Sequence, residues 1–224
     1  MKTVYANLIG RFGNNLFIYA YARALAEREN ALLETSPWIG QKLFKYLKGY
    51  CEPVGDTIIP VCGYHQDQDS LIYTRKQVKE WFQFKPEILE QLAQVPCPPI
   101  VAHLRRGDYA DLGYVVVSEK SYRDAWHKFE LDTTPITFVS EENPYIVNGL
   151  PDWLPDFYRM TKAKVLFRAN SSFSWWASTL SDARVFAPVI EGLPGGERDC
   201  DFLESNAPKL ANLSFVTDLH LKEQ

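Results

Sequence analysis

The stretch Ile100-Val101-Ala102-His103-Leu104-Arg105-Arg106-Gly107-Asp108-Tyr109 is an apolar run of strand type that ends in an imidazole, adjacent guanidiniums, a glycine and an acid. Those side chains make a poor core and a good anion site. Arginine presents a planar fork of donors that matches phosphate oxygens, and it does not lose its charge. At the carboxyl end of a parallel strand, the cluster would stand where open α/β sheets bind ligands. The chemistry it suits is the grip on a diphosphate; a surface ion pair of Arg105 or Arg106 with Asp108 is the alternative.

Other stretches offer compatible chemistry. Gly10-Arg11-Phe12-Gly13-Asn14-Asn15 lies between a strand pattern, Thr3 to Ile9, and a helical pattern, Leu16 to Arg28. Glycines let backbone N–H groups approach a ligand, and a helix start favours negative charge. A plain turn between strand and helix is the competing reading. Asn170-Ser171-Ser172-Phe173-Ser174-Trp175-Trp176 begins another helix after the strand Lys164 to Arg168. One serine suffices as a cap, so the surplus hydroxyls point to an anion, while Trp175 and Trp176 read as packing. Glu141 and Glu142 follow the strand Ile136 to Val139, where a carboxylate accepts hydrogen bonds from a ribose or a base, or is merely solvated.

Metal chemistry has weaker support. Asp67-Gln68-Asp69 and Asp199-Cys200-Asp201 each pair carboxylates of the kind hard cations use. A three-residue match recurs by chance, and His103 has no second histidine at ligand spacing.

The elements that must position these groups alternate. Beyond the proline-rich stretch Val95 to Pro99, strands at Ile100 to Leu104, Ile136 to Val139, Lys164 to Arg168 and Arg184 to Phe186 are separated by helices. The helices span Glu119 to Phe129, Asp152 to Thr161 and Ser172 to Leu180, and a further helix, Phe202 to Asn206, and a strand, Ser214 to Val216, close the pattern. Alternation of this kind implies an α/β fold with a parallel sheet. The first half repeats it less clearly, with strands at Ala31 to Glu34 and Thr57 to Val61, the latter at a sheet edge because of Pro60. Residues Thr74 to Gln94 read as helical with a break at Phe84 to Pro86. The proline stretch divides the chain into domains 1–96 and 97–224.

With 224 residues, 46% of them hydrophobic, the chain can bury a substantial core. A formal net charge of -4 argues against nucleic-acid binding while allowing a local basic pocket. The cysteines, Cys51, Cys62, Cys97 and Cys200, form no C-x-x-C pair, which suggests a reducing compartment. With no apolar run near the ~20 residues of a membrane helix and no signal-peptide core, a cytoplasmic protein is expected.

Taken together, the motifs resemble a known family. His103-Leu104-Arg105-Arg106-Gly107-Asp108-Tyr109 is similar to the signature of the inverting α-1,2-fucosyltransferases of glycosyltransferase family 11, shared more loosely with α-1,6- and protein O-fucosyltransferases. Asn170 to Ala177 resembles that family's second signature. Gly10 to Phe17, followed by Tyr19-Ala20, resembles its glycine motif, and Gly63-Tyr64-His65-Gln66 a further one. In this order the motifs cover nearly the whole chain.

The resemblance implies a GT-B fold, two facing Rossmann-like domains with parallel sheets. Domain 97–224 would hold the donor GDP-fucose and domain 1–96 would lie on the acceptor side, with no cofactor and no metal. The reaction implied is inverting transfer of fucose to a sugar hydroxyl, α-1,2 to a galactoside. Arg105 would bind the β-phosphate, where charge grows as GDP leaves. Arg106 and Asp108 would position that contact, and His103 and Glu141 would lie near ribose and guanine. Asn170, Ser171, Ser172 and Phe173, with Gly10, Arg11, Gly13 and Asn14, complete the donor-binding set. The acceptor hydroxyl must lose a proton, and Asp111 is the first candidate for the base, with a solvated loop acid as its other reading.

Three departures stand out. Glu141-Glu142 replaces the usual pair of aspartates, Asn15 stands where glutamine is common, and the chain is shorter than most members. They keep open a second function, a GDP-sugar-binding paralogue with little or no turnover. A metal-dependent transferase using Asp67 and Asp69 is a third.

Overall fold

The computed structural model describes residues 2–47, 57–131 and 133–205. These fall into two compact units that change over between Glu90 and Gln91. That point lies inside a helix, a few residues before the proline stretch.

In the first unit, β1 (Lys2–Ala6) leads through a turn at Gly10, φ +79°, into α1 (Phe12–Arg28). The helix begins earlier than the expected Leu16 because Gly13, Asn14 and Asn15 complete its first turn. Most of its faces are apolar and buried, including Leu16, Phe17, Ile18, Tyr19 and Ala20 in succession, which marks an element packed on several sides. After α1 come β2 (Leu32–Thr35), α2 (Gly40–Leu43) and β3 (Thr57–Val61). The strands form a parallel sheet in the order β2-β1-β3. Pro60, which has no N–H to give, therefore sits on an edge strand as expected. Phe12, at the start of α1, stacks on Phe44 at 6.1 Å between ring centres, and Phe44 meets Phe82 at 5.1 Å. This aromatic cluster fixes where the glycine turn ends.

The helical region that follows splits as the proline requires. α3 (Arg75–Trp81) opens with a reciprocal cap: Gln77 N–H donates to Thr74 Oγ1 at 3.2 Å, and Thr74 N–H donates to Gln77 Oε1 at 2.8 Å. α4 (Pro86–Leu92) begins at the proline, whose missing N–H costs nothing at a first helical position.

The second unit contains β4 (Ile100–Leu104), β5 (Val115–Val117), α5 (Glu119–Lys128), β6 (Ile136–Ser140), α6 (Leu154–Lys162) and β7 (Val165–Phe167). It continues with α7 (Ser172–Leu180), β8 (Arg184–Pro188), β9 (Gly196–Arg198) and β10 (Phe202–Glu204). Its main sheet runs β10-β8-β7-β4-β6, parallel except for β10. Every residue of β4 is buried, as a central parallel strand covered on both faces must be. Phe167 of β7 lies under the sheet, stacked on Phe186 at 4.9 Å and edge-on to Phe202 at 5.6 Å.

One expectation fails here and one pair of strands was not foreseen. Phe202 to Glu204 is a strand and not the start of a helix: Phe202 fills the core opposite Pro188, and Glu204 reaches Arg184 with two hydrogen bonds at 2.9 and 3.1 Å. Burial of Phe202 and cross-strand pairing outweigh the local helical preference. The short strands β5 and β9, which pair in parallel as a separate ribbon, escape a reading based on alternation with helices. Asn206 and the strand expected at Ser214 to Val216 lie outside the described residues. Among the described residues no helix is long and apolar enough to cross a membrane.

Because Phe167 is fully buried between two other rings, Phe167→Ala should cost about 3–5 kcal/mol of stability. Urea denaturation of the variant beside wild type measures this. A loss below about 1 kcal/mol would mean that this ring cluster does not hold the sheet.

Candidate active site

Three neighbouring strands, β7, β4 and β6, end side by side and carry Asn170-Ser171, Arg105-Arg106 and Glu141-Glu142. The chain leaves β4 for β6 on one side and then crosses to β7 on the other. The crevice between the carboxyl ends of β4 and β7 is thus a topological switch point, the position where such sheets bind ligands. Sequence-predicted groups from all three loops converge on this edge.

Arg105 is the best-anchored of them. Its Nη2 donates to Asp108 Oδ1, its Nη1 donates to Glu141 Oε1, and its guanidinium carbon lies 4.4 Å from the centre of the Tyr109 ring. The side chain is only 10% exposed. The ion pair with Asp108 entertained from the sequence therefore exists, together with a second carboxylate. Arg106 donates its backbone N–H to Glu141 Oε1 at 3.2 Å, and its Nη1 meets Glu142 Oε2 at 3.5 Å. The turn Gly107–Tyr109 is short and helical, and Gly107 enters it at φ +45°. A Cβ on Gly107 would stand 2.6 Å from Glu141 Oε1, so the glycine is what lets the carboxylate in.

Tyr109 links this turn to the next loop. Its hydroxyl donates to Asn170 O at 3.1 Å, and Asn170 Nδ2 donates to Val115 O at 3.2 Å. Ser171 Oγ caps α7 by accepting from Phe173 N–H at 3.3 Å, and Ser174 Oγ donates to Ala169 O at 3.2 Å. Much of the polar excess of this motif is thus spent on shaping the loop. Ser172 and Phe173 remain half-buried at the first turn of α7, while Trp175 and Trp176 are packed inside. Asp111 is exposed in the loop between Tyr109 and β5.

His103 lies beneath Arg105, 4% exposed, with its ring centre 5.6 Å from that of Phe173. Its carbonyl accepts from the Tyr122 hydroxyl at 2.7 Å, and its Nδ1 has no hydrogen-bond partner among the described residues. Burial pushes the imidazole down from 6.5 to about 3, and the Arg105 charge adds to the effect. It is a neutral ring at physiological pH.

The remaining predicted residues belong to the first unit. Gly10 needs its positive φ, and a Cβ there would lie 2.6 Å from Asn14 Nδ2 and 3.1 Å from the Tyr64 ring. Asn14 Oδ1 accepts from Gln66 Nε2 at 2.8 Å, so the loop after β3 closes over the glycine turn. Arg11 is the exposed residue just before α1, whereas Gly13 is buried within its first turn. The His65 ring stacks on Tyr21 at 3.8 Å. Tyr64 and Gln66 join the glycine turn beyond the candidates named from the sequence; their signal is the run Gly63-Tyr64-His65-Gln66 at the carboxyl end of a parallel strand. Tyr122 had no signal, being one aromatic among many.

Asp67 is engaged locally, accepting from Ser70 N–H at 2.9 Å and Ser70 Oγ at 2.7 Å. Asp199 accepts a short hydrogen bond from Ser118 Oγ. Among the described residues no group of three or more His, Cys, Asp and Glu side chains is placed to hold a metal ion.

No protein-family model matches the chain, and no curated protein does. Among solved structures it is similar to the α-1,6-fucosyltransferase NodZ soaked with GDP-fucose, with a TM-score of 0.48, 14% identity, and coverage of 90% of this chain and 98% of that one. The fucosyltransferase NodZ from Bradyrhizobium gives a TM-score of 0.47, 14% identity and the same coverage, 90% and 98%. The iron-containing dodecameric glycosyltransferase TibC of enterotoxigenic E. coli gives a TM-score of 0.47 at 11% identity, over 83% of this chain and 57% of that one.

The buried imidazole makes stability depend on pH. The unfolded chain binds a proton at His103 below about pH 6.5 that the native protein refuses, so this contribution is complete above that pH and is lost as pH falls toward about 3. One such group contributes a slope of up to about 1.4 kcal/mol per pH unit in that window. His103→Gln should therefore lose less stability than wild type between about pH 7 and about pH 5 in urea titrations. Equal losses would contradict a buried neutral imidazole.

Proposed function

We propose that the protein is a glycosyltransferase that moves fucose from GDP-fucose to a sugar hydroxyl with inversion, α-1,2 to a galactoside. The observation that carries this reading is Arg105: a guanidinium fixed at the switch point of a parallel sheet by Asp108 and stacked on Tyr109. A permanent cation in that position suits a leaving diphosphate, because its attraction rises as the glycosidic bond breaks and charge accumulates on the β-phosphate. The motif resemblance supplies the nucleotide and the sugar.

In this proposal the donor lies in domain 97–224. Arg105 meets the β-phosphate, and Arg106 with the first turn of α7, Ser172 and Phe173, lines the rest of the diphosphate site. His103 and Glu141 lie toward ribose and guanine, while Asn170, Ser171 and Asp108 set the shape of the loops. From domain 1–96 the resemblance adds Gly10, Arg11, Gly13 and Asn14 to the donor-binding set. The diphosphate charge is met by arginine, with no metal and no cofactor, in a cytoplasmic protein whose partners are GDP-fucose and a carbohydrate. Inversion requires the acceptor hydroxyl to attack from the face opposite GDP while a base takes its proton, a role for which Asp111 is the candidate.

One observation favours a second reading. Arg105 is engaged by two carboxylates, Asp108 and Glu141, which suits a protein that binds a GDP-sugar and turns it over slowly or not at all.

GDP release from GDP-fucose, measured with EDTA present and with lactose and related galactosides as acceptors, separates these readings. Turnover that survives EDTA is the expected result; GDP binding without turnover on any acceptor favours the binding protein, and absence of both refutes the donor assignment. Arg105→Ala should lower the rate by about 100-fold or more, the usual cost of removing a charge contact made in the transition state. Activity close to wild type in that variant would remove Arg105 from the mechanism.

A further inference from the structure

We propose that Glu141 gates the diphosphate site: its carboxylate fills the oxyanion cradle made by the Arg105 guanidinium, the Arg106 N–H and the bare Cα of Gly107, and a phosphate enters only by displacing it. This rests on the reading of Arg105 as a diphosphate ligand and adds a residue that controls access to it.

The cradle is defined by what converges on one atom. Glu141 Oε1 accepts from Arg105 Nη1 and, at 3.2 Å, from Arg106 N–H. The same oxygen lies 2.6 Å from the place a Gly107 Cβ would occupy. A charged fork, a backbone N–H and a glycine at positive φ, here +45°, form the kind of concavity that backbone uses to hold phosphate oxygens. A carboxylate oxygen and a phosphate oxygen seek the same donors, and two anions do not share them.

The two carboxylates on Arg105 differ in how they are attached. Asp108 belongs to the same tight turn, three residues along the chain, and holds Nη2. Glu141 comes from the loop after β6 on a longer side chain that is one-third exposed, and it holds Nη1. Asp108 therefore orients the guanidinium, while Glu141 is the partner that can swing away and leave Nη1 and the Arg106 N–H to an incoming anion. Reach is part of the device: an aspartate at position 141 is shorter by one C–C bond, about 1.5 Å, and falls back from the cradle with its charge intact.

Calorimetric titration of the full chain with inorganic pyrophosphate, and separately with GDP, tests the gate in wild type, Glu141→Ala, Glu141→Asp and Glu191→Ala. Glu191 is an exposed acid of the loop after β8 and controls for loss of surface charge. Both Glu141 variants should bind pyrophosphate about tenfold more tightly than wild type, because the competent form of the cradle is no longer taxed by its own carboxylate. Glu191→Ala should bind as wild type does. Glu141 variants that bind no better than wild type, a gain equalled by Glu191→Ala, or no pyrophosphate binding in any protein would each overturn the gate. Tighter pyrophosphate binding with no preference for GDP over pyrophosphate upholds the gate and removes the nucleotide reading instead.

Discussion

A guanidinium held nine-tenths out of water cannot neutralise itself by losing a proton, so oppositely charged groups have to be brought to it. In the second unit the loops at the carboxyl edge of the main sheet meet that demand. Asp108 approaches from within the same turn, Glu141 from the neighbouring strand, and the Tyr109 ring covers the guanidinium face. Each contact fixes a different degree of freedom of Arg105. The order of the strands makes this possible, since β6 is the strand hydrogen-bonded to β4 and so delivers Glu141 beside Arg105 without a long excursion.

The surrounding polar residues hold the loops that hold Arg105. Tyr109 touches the guanidinium with its ring and Asn170 with its hydroxyl, and Asn170 passes the connection to Val115 at the start of β5. The β5–β9 ribbon is tied in turn to α5, where Ser118 N–H donates to Arg198 O at 2.9 Å and Ser121 Oγ accepts from Cys200 N–H at 2.9 Å. On the other side of β4, the Tyr122 hydroxyl satisfies the His103 carbonyl. Segments far apart in sequence therefore share the task of keeping one turn in register, and removing the Tyr109 hydroxyl or the Asn170 amide takes a hydrogen bond from a buried residue.

The sequence made the main sheet of the second unit readable because its central strands are buried and stand out as short apolar runs, as at Ile100 to Ala102 and Val165 to Phe167. Convergence of Arg105, Glu141 and Asn170 on one edge followed from that reading. What escaped has physical causes. Phe202 to Glu204 is too short for its period to separate strand from helix, and pairing with β8 and packing against the distant rings of Tyr122 and Phe167 decide the matter. Val115 to Val117 finds its partner some eighty residues later, a pairing no local pattern reveals. The attachment of Glu141 to Arg105 depends on side-chain reach and on the absence of a Cβ at Gly107, neither of which a motif records. Asn170 and Ser171 look in the sequence like surplus hydrogen-bonding capacity, yet their bonds go to loop and cap.

The charge inventory of the edge bears on how a ligand arrives. Arg105 and Arg106 face Asp108, Glu141 and Glu142, so these five groups together are one unit negative. Clefts that draw in anions by long-range attraction carry an excess of positive charge, which raises encounter rates and makes them fall steeply with salt. These five groups have no such excess. On the proposed reading a diphosphate gains no net pull from these five groups, and its retention is set by short-range exchange of hydrogen-bond partners; selectivity then resides in how slowly the right anion leaves.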